Sequence, residues 1–186
     1  MMKYVRLTTI LLVVAFTAGA LTSPNPATAA SAAEIDRDAQ KALGDLYAKS
    51  PSAKTMGEKA IGILVFPGIV KGGFIVGGQY GEGALIKDGK TVAYYNTVAA
   101  SYGLQIGLQK FGYALFFMAD SALKWIDMSD GWEIGVGPSI VVVDAGAAAS
   151  MTSTTLQSDI YAFFFDQKGL MAGIGLQGAK ITRLEK

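Results

Sequence analysis

Neither histidine nor cysteine occurs among the 186 residues, so carboxylates, lysines, serines and tyrosines are the side chains left for chemistry. Serine-histidine and cysteine-histidine nucleophilic systems, histidine-zinc sites and most proton shuttles at neutral pH need a side chain this chain lacks. Disulfides and thiolate metal sites are excluded with them. The acidic residues Asp127, Asp130, Asp144, Asp159 and Asp166 are scattered. Asp127-Met128-Ser129-Asp130-Gly131 lacks the ligand spacing of a calcium loop, and turn chemistry accounts for most of these residues. No carboxylate pair stands out for glycoside hydrolysis. The expectation is a non-enzymatic protein with no metal and no cofactor.

The densest unusual pattern is Gly72-Gly73-Phe74-Ile75-Val76-Gly77-Gly78-Gln79-Tyr80-Gly81-Glu82-Gly83. It contains no G-x-x-x-x-G-K-[ST], and no G-x-G-x-x-G falls between a strand and a helix, so it does not read as a nucleotide loop. Glycines that let strands bend and pack closely are one reading, and a groove that accommodates lipid is another. Lys71, flanked by Ile69, Val70 and Phe74, could set an ammonium at the rim of an apolar surface to meet a phosphate head group; the alternative is a solvated lysine on an edge strand. Phe116-Phe117 and Phe163-Phe164-Phe165 place rings on both faces of their strands, which fits either an apolar contact surface or burial on two sides.

The elements that must position these residues follow from periodicity. Residues 33–50 repeat Ile35, Ala39, Ala42, Leu43, Leu46 and Tyr47 at helical spacing, with charged residues opposite. Pro51 ends that helix, and Ser52 is expected to cap a short second one. Beyond Ala60 the period becomes that of strands. Residues 61–66 read as a strand closed by a Pro67-Gly68 turn, followed by strands at 74–78, 83–87 and 91–95 with an Asp88-Gly89 hairpin turn. Residues 98–109 alternate as one strand, Tyr102, Leu104, Ile106 and Leu108 against Gly103, Gln105, Gly107 and Gln109. A strand at 113–118, a helix at 119–126 capped by Asp120 or Ser121, and a run at 132–143 follow. Gly135, Gly137, Gly173 and Gly175 look like bends within strands. Residues 145–155 read as an exposed connection, and strands at 159–166, 170–176 and 179–184 finish the chain, Gln167-Lys168-Gly169 joining the first two. The predicted fold class is α+β: a mainly antiparallel, strongly curved or stacked sheet, sandwich-like or barrel-like, with an N-terminal amphipathic helix and one or two short helices.

The first residues read as an address. Lys3 and Arg6 precede an apolar stretch at 7–21, short for a membrane span that needs roughly 20 residues. Pro24 and Pro26 break it, and Ala27-Thr28-Ala29 and Ala30-Ser31-Ala32 offer small-x-small cleavage patterns. The expectation is a signal peptide at 1–29, cleaved after Ala29, leaving residues 30–186 as a single exported domain, periplasmic or extracellular and peripheral to a membrane. It would not be a lipoprotein, since acylation needs a cysteine. Without Lys3 and Arg6 the sixteen basic residues become fourteen against fifteen acidic ones, a net charge near −1. Nucleic acid is therefore not expected as a partner.

Four blocks in order carry a family resemblance: Gly62-Ile63-Leu64-Val65-Phe66-Pro67-Gly68, then Lys71 through Gly83, then Ser101-Tyr102-Gly103-Leu104-Gln105-Ile106-Gly107, then Lys168-Gly169-Leu170-Met171-Ala172-Gly173. Together they resemble the signature of SYLF domains, over about residues 35–186. The resemblance implies a lipid-binding domain. Eukaryotic members of that family bind phosphoinositides, yeast-type members bundle actin, and secreted bacterial members stand alone. It also maps the family's membrane-contacting amphipathic start onto residues 35–59. The chain shows no basic cluster that would hold a multiply charged head group. The expected function is phospholipid or membrane-surface binding through Ile35, Leu43, Leu46 and Tyr47 of the helix and Phe74 and Tyr80 of the glycine-flanked strands. Lys71, with Lys54 or Lys59, would lie near the head group. The alternative is a structural or protein-interaction module in the periplasm or on the cell surface.

Overall fold

A computed structural model of the chain describes residues 30–74, 76–102, 107–128, 131–143, 158–168, 176 and 178–186. The expectations for the leader, for residues 145–155 and for most of 170–176 fall outside these residues.

Helix α1 (Ala32–Lys49) begins with a reciprocal cap: Ser31 Oγ accepts the Glu34 amide, and the Glu34 carboxylate accepts the Ser31 amide at 2.8 Å. Its apolar stripe, Ile35, Ala39, Ala42, Leu43 and Leu46, is buried against the sheet. Helix α2 (Pro51–Gly57) is capped by Ser50, not by Ser52 as expected, and Pro51 takes the first helical position, where its missing N–H forfeits no bond.

Among the described residues eight strands form one sheet in the order β5-β8-β3-β2-β1-β4-β7-β6. They are β1 (Gly62–Phe74), β2 (Val76–Lys87), β3 (Lys90–Tyr102), β4 (Gly107–Phe117), β5 (Trp132–Glu133), β6 (Ile140–Val143), β7 (Ile160–Lys168) and β8 (Lys180–Leu184). Every pairing is antiparallel except the parallel β6–β7 edge. A short helix α3 (Asp120–Leu123) runs into a 3-10 turn (Lys124–Asp127). The α+β expectation holds, with the sheet curled into a half-barrel.

The curl can be read from one contact. Strands β4 and β3 are separated by β1 and β2, about 14 Å apart in a flat sheet at ~4.8 Å per strand. Yet Tyr113 Oη donates to Thr97 Oγ1 across that gap at 2.9 Å, and both residues are fully buried. Glycine makes the cup possible at Gly83, where a Cβ would lie 2.3 Å from the Val65 carbonyl oxygen and 2.6 Å from the Phe66 ring.

Alternation gives the sheet two cores. The inward face carries Leu64, Phe66, Leu85, Tyr95, Tyr113, Leu115 and Phe117, closed by Trp132, Ile126 and Ile181. The outward face carries Ile63, Val65, Ala84, Ile86, Ala114, Phe116 and Phe163, closed by α1 and α2. Of the two readings of the phenylalanine runs, burial on both sides is the one observed at Phe116, Phe117, Phe163 and Phe165.

Several boundaries differ from the sequence reading. Pro67-Gly68 does not end a strand; between Val65 and Val70 strand β1 advances five residues while β2 advances four, so the pair sits in a bulge. The strands expected at 74–78 and 83–87 are parts of β1 and β2, which continue because both edges of each are paired. Residues 98–109 are not one strand: β3 ends at Tyr102 and β4 starts at Gly107. Helix α3 has Ala119 at its N-cap with no side-chain cap bond. Residues 132–143 split into β5 and β6, with Gly135 (φ 109) and Gly137 (φ 90) outside both strands in a conformation that favours glycine. Gln167 and Lys168 belong to β7. The Asp88-Gly89 hairpin stands as expected, with φ of 50 and 74.

Candidate functional site

Past α1, strands β1 to β4 project as a glycine-rich end, and its outward face is not covered like a core. The register lines up Lys110, Val70, Tyr80, Val98 and Lys180 across five strands, β4-β1-β2-β3-β8. That row spans about 19 Å at ~4.8 Å per strand. Val70, Tyr80 and Val98 are 46%, 48% and 45% exposed. The next row on the same face is Leu108, Gly72, Gly78 and Ala100, in which Leu108 is 72% exposed. The glycines leave the middle of the ledge flat, and a lysine stands at either end of the first row.

Tyr80 is oriented by its Oη, which donates to Glu82 at 2.7 Å. Loss of solvent first, and then that bond to a carboxylate, push the phenol up to about 12. Lys186 Nζ donates to Glu82 at 3.3 Å and to the Ala30 carbonyl at 2.7 Å, tying strand β2 to the start of α1.

Val70, Tyr80 and Lys110 also form one wall of a cleft of about 630 Å³ whose other wall is α1. Asp38, Asp45, Glu82 and Asp166 line it against Lys41 and Lys110. Lys41 is already paired with Asp45. Asp38 is likewise paired with Arg37, Asp166 with Lys49 and Glu82 with Lys186, so the cleft is close to balanced in charge, while Lys110 and Lys180 leave the ledge beside it the better place for an anionic group.

The inward face of the same strands carries Gln109, Lys71, Gln79 and Ala99 in one row. Lys71 is 8% exposed, Gln79 7% and Gln109 2%. Gln79 Nε2 and Gln109 Oε1 are buried with no hydrogen-bond partner. None of the described carboxylates forms an ion pair with Lys71. Beneath this row lies the Tyr113–Thr97 pair, where burial raises the Tyr113 phenol.

The structure divides the residues expected from sequence into three places. Ile35, Leu43 and Leu46 are buried against the sheet, and Tyr47 is half-buried with its ring 6.4 Å from that of Phe116. That stripe therefore presents no apolar surface in this fold, a correction to its expected role as the contact. Lys54 and Lys59 are exposed at the α2 end, beside the start of β1, whereas Lys71 lies eight residues along β1 from Ile63, on the order of 25 Å at ~3.3 Å per residue. The three lysines do not converge on one head group. Lys71 and Tyr80 share the glycine-rich end but face opposite sides of the sheet, so Lys71 is neither solvated nor on an edge strand. The side chain of Phe74 lies outside the described residues. Sequence reasoning missed Val70, Val98, Leu108, Lys110, Lys180, Gln79 and Gln109. Plain alternation from Leu64 and Phe66 would put Lys71 on the opposite face, and only the bulge at Pro67-Gly68 turns it inward, so the sequence held no direct signal for that row.

Among the described residues no group of histidine, cysteine or acidic side chains could hold a metal ion. No helix among them is long and apolar enough to cross a membrane. A family model, Ysc84, described as Las17-binding protein actin regulator, matches residues 98–186. Over these residues the chain is similar to that family, in keeping with the resemblance to SYLF domains. The Ysc84 stretch runs from Val98 on the ledge through β4 to β8, and so supplies Val98, Leu108, Lys110, Lys180 and Gln109 of the two rows. The first two blocks of the resemblance, in β1 and β2, precede it. The Ysc84 family points to a lipid-binding or actin-regulator type of module and is not known for catalysis. No curated protein matches the chain.

Proposed function

We propose that the protein is a non-enzymatic module of the cell envelope that binds phospholipid membranes with the outward ledge of its glycine-rich end. On this reading residues 1–29 are a cleaved leader, residues 30–186 are the working domain, and the domain acts in the periplasm or outside the cell. The observation that carries the reading is the flat row Val70, Tyr80, Val98 with Lys110 and Lys180 at its ends, adjoined by Leu108. Apolar side chains enter the boundary between head groups and acyl chains, and each lysine close to an anionic surface adds about 1 kcal/mol. Burying Leu108 contributes roughly 1.5–3 kcal/mol at full burial, more than either lysine.

Vesicle flotation of the purified protein tests this. Binding to phosphatidylglycerol-containing vesicles should weaken with salt without vanishing, and Leu108→Asp should reduce it about tenfold or more, the effect of ~1.4 kcal/mol. Absence of binding to zwitterionic and anionic vesicles alike, at low and at high salt, rejects the reading.

A protein-interaction module is the second reading. It is favoured by strand β6, which ends the sheet among the described residues and where Val141 and Val142 are 41% and 50% exposed. It requires a protein recovered by cross-linking at that edge while the protein floats with no vesicle.

A further inference from the structure

The inward row of the glycine-rich end has the wrong chemistry for a core. On the same face Leu64, Phe66, Ile69 and Phe111 fill space with apolar atoms, then the row changes to Gln109, Lys71 and Gln79, all more than nine-tenths buried. A buried amide atom left without a partner costs about 1–3 kcal/mol, and here the glutamines on either side of Lys71 each carry one. Direct cross-strand partners hold their Cβ atoms roughly 4.5–5.5 Å apart, so the three polar ends converge on one small volume. Farther along each strand the inward positions are Gly107, Gly73 and Gly77, and Gly73 is exposed, so among the described residues no side chain at these positions closes the volume.

We propose that this row is a binding site for a single phosphate ester that carries a neighbouring hydroxyl, with Lys71 and Gln79 donating to phosphate oxygens and Gln109 accepting from the hydroxyl. The donor set fixes the class. Lys71 Nζ and Gln79 Nε2 require acceptors, which any oxyanion offers, whereas Gln109 Oε1 requires a donor, which sulfate and carboxylate lack at neutral pH. A phosphoglycerol unit supplies both. One lysine matches one phosphate and not a multiply charged head group. The site lies on the opposite face from the ledge and does not depend on it; a phospholipid head group and a free glycerol phosphate are two sources of the same chemistry.

The test is calorimetric titration of the purified protein with glycerol 3-phosphate and with sulfate at equal ionic strength, together with flotation on phosphatidylglycerol vesicles. Glycerol 3-phosphate should saturate and sulfate should not. Lys71→Met should weaken binding at least tenfold while raising the melting temperature of the ligand-free protein, because it replaces a charge held for a ligand by apolar atoms of similar shape. Gln79→Glu, which offers Lys71 an internal carboxylate, should fold and also lose binding at least tenfold, so the test stands if Lys71→Met fails to fold. Leu108→Asp should lose vesicles and keep glycerol 3-phosphate, separating this site from the membrane reading. Lys71-dependent binding to vesicles with none to glycerol 3-phosphate assigns the site to the lipid source. No saturable binding to either probe, or binding that survives both Lys71→Met and Gln79→Glu, overturns the proposal.

Discussion

Tyr113 and Thr97 make the clearest case for what one side-chain contact does in this molecule. The phenol is fully buried and donates to a hydroxyl three strands away, so it fixes the depth of the cup. Burial raises the ionisation of Tyr113 above its ordinary value of 10.0, and Tyr95 is raised likewise, by burial first and then by donating to Asp127. Tyr80 rises to about 12 but is half-exposed, so solvent shields much of its effect. A phenol whose folded value is raised favours the folded state fully below pH 10, where both states are protonated, and that advantage drains away as pH climbs and only the unfolded state ionises. Stability should therefore fall from about pH 10 upward, each buried phenol adding a slope of ~1.4 kcal/mol per pH unit. In Tyr113→Phe the slope should be shallower by one such contribution, while stability at neutral pH drops by about 1–2 kcal/mol because Thr97 keeps an unpaired hydroxyl. Denaturant titrations at pH 7, 10 and 11 measure both effects; an unchanged alkaline slope contradicts the assignment. Residues such as Tyr113 were legible as strand members, but their partner was not, since the contact exists only once the sheet has curled.

At the scale of elements, α1 is the instructive one. Its 3.6-residue stripe at Ile35, Ala39, Ala42, Leu43 and Leu46 was plain in the sequence, as was its extent to within one residue at each end, because helical spacing is local; the Ser31 cap was not read. What the stripe faces was not local, and it faces the sheet. Leu43→Ala should accordingly lower unfolding free energy by about 2–4 kcal/mol through a cavity between α1 and the sheet, and leave vesicle affinity of the folded protein unchanged. Loss of vesicle binding at unchanged stability would return the membrane contact to the helix. The Asp88-Gly89 hairpin was legible for the same local reason, since its backbone conformation is one that these two residues tolerate. Pro67-Gly68 misled because a bulge and a turn ask for similar residues, and pairing of β1 with both β2 and β4 decides between them. The outward ledge was hidden for a related reason. Val70, Tyr80, Val98 and Leu108 lie on four strands, and no spacing along the chain announces a row that runs across it.

Taken whole, the molecule is a curled sheet with a core on each face at one end and two non-core faces at the other. The cores bury the large aromatics, and the glycine-rich end is left thin, greasy on the outside and polar within. A division of this kind lets stability and binding be altered separately, which is why Leu43 and Leu108 are expected to affect different measurements. A formal net charge of only +1 over the full sequence means that long-range attraction contributes little, so contact of apolar atoms must dominate any membrane affinity. One small contact reaches further than its size suggests. Lys186 Nζ donates to the Ala30 carbonyl, so residues 30 and 186 lie within one lysine's reach of each other. Splicing residue 186 to residue 30 through a short flexible peptide and cutting the chain anew between Asp88 and Gly89 should yield a permuted protein with an unaltered circular dichroism spectrum.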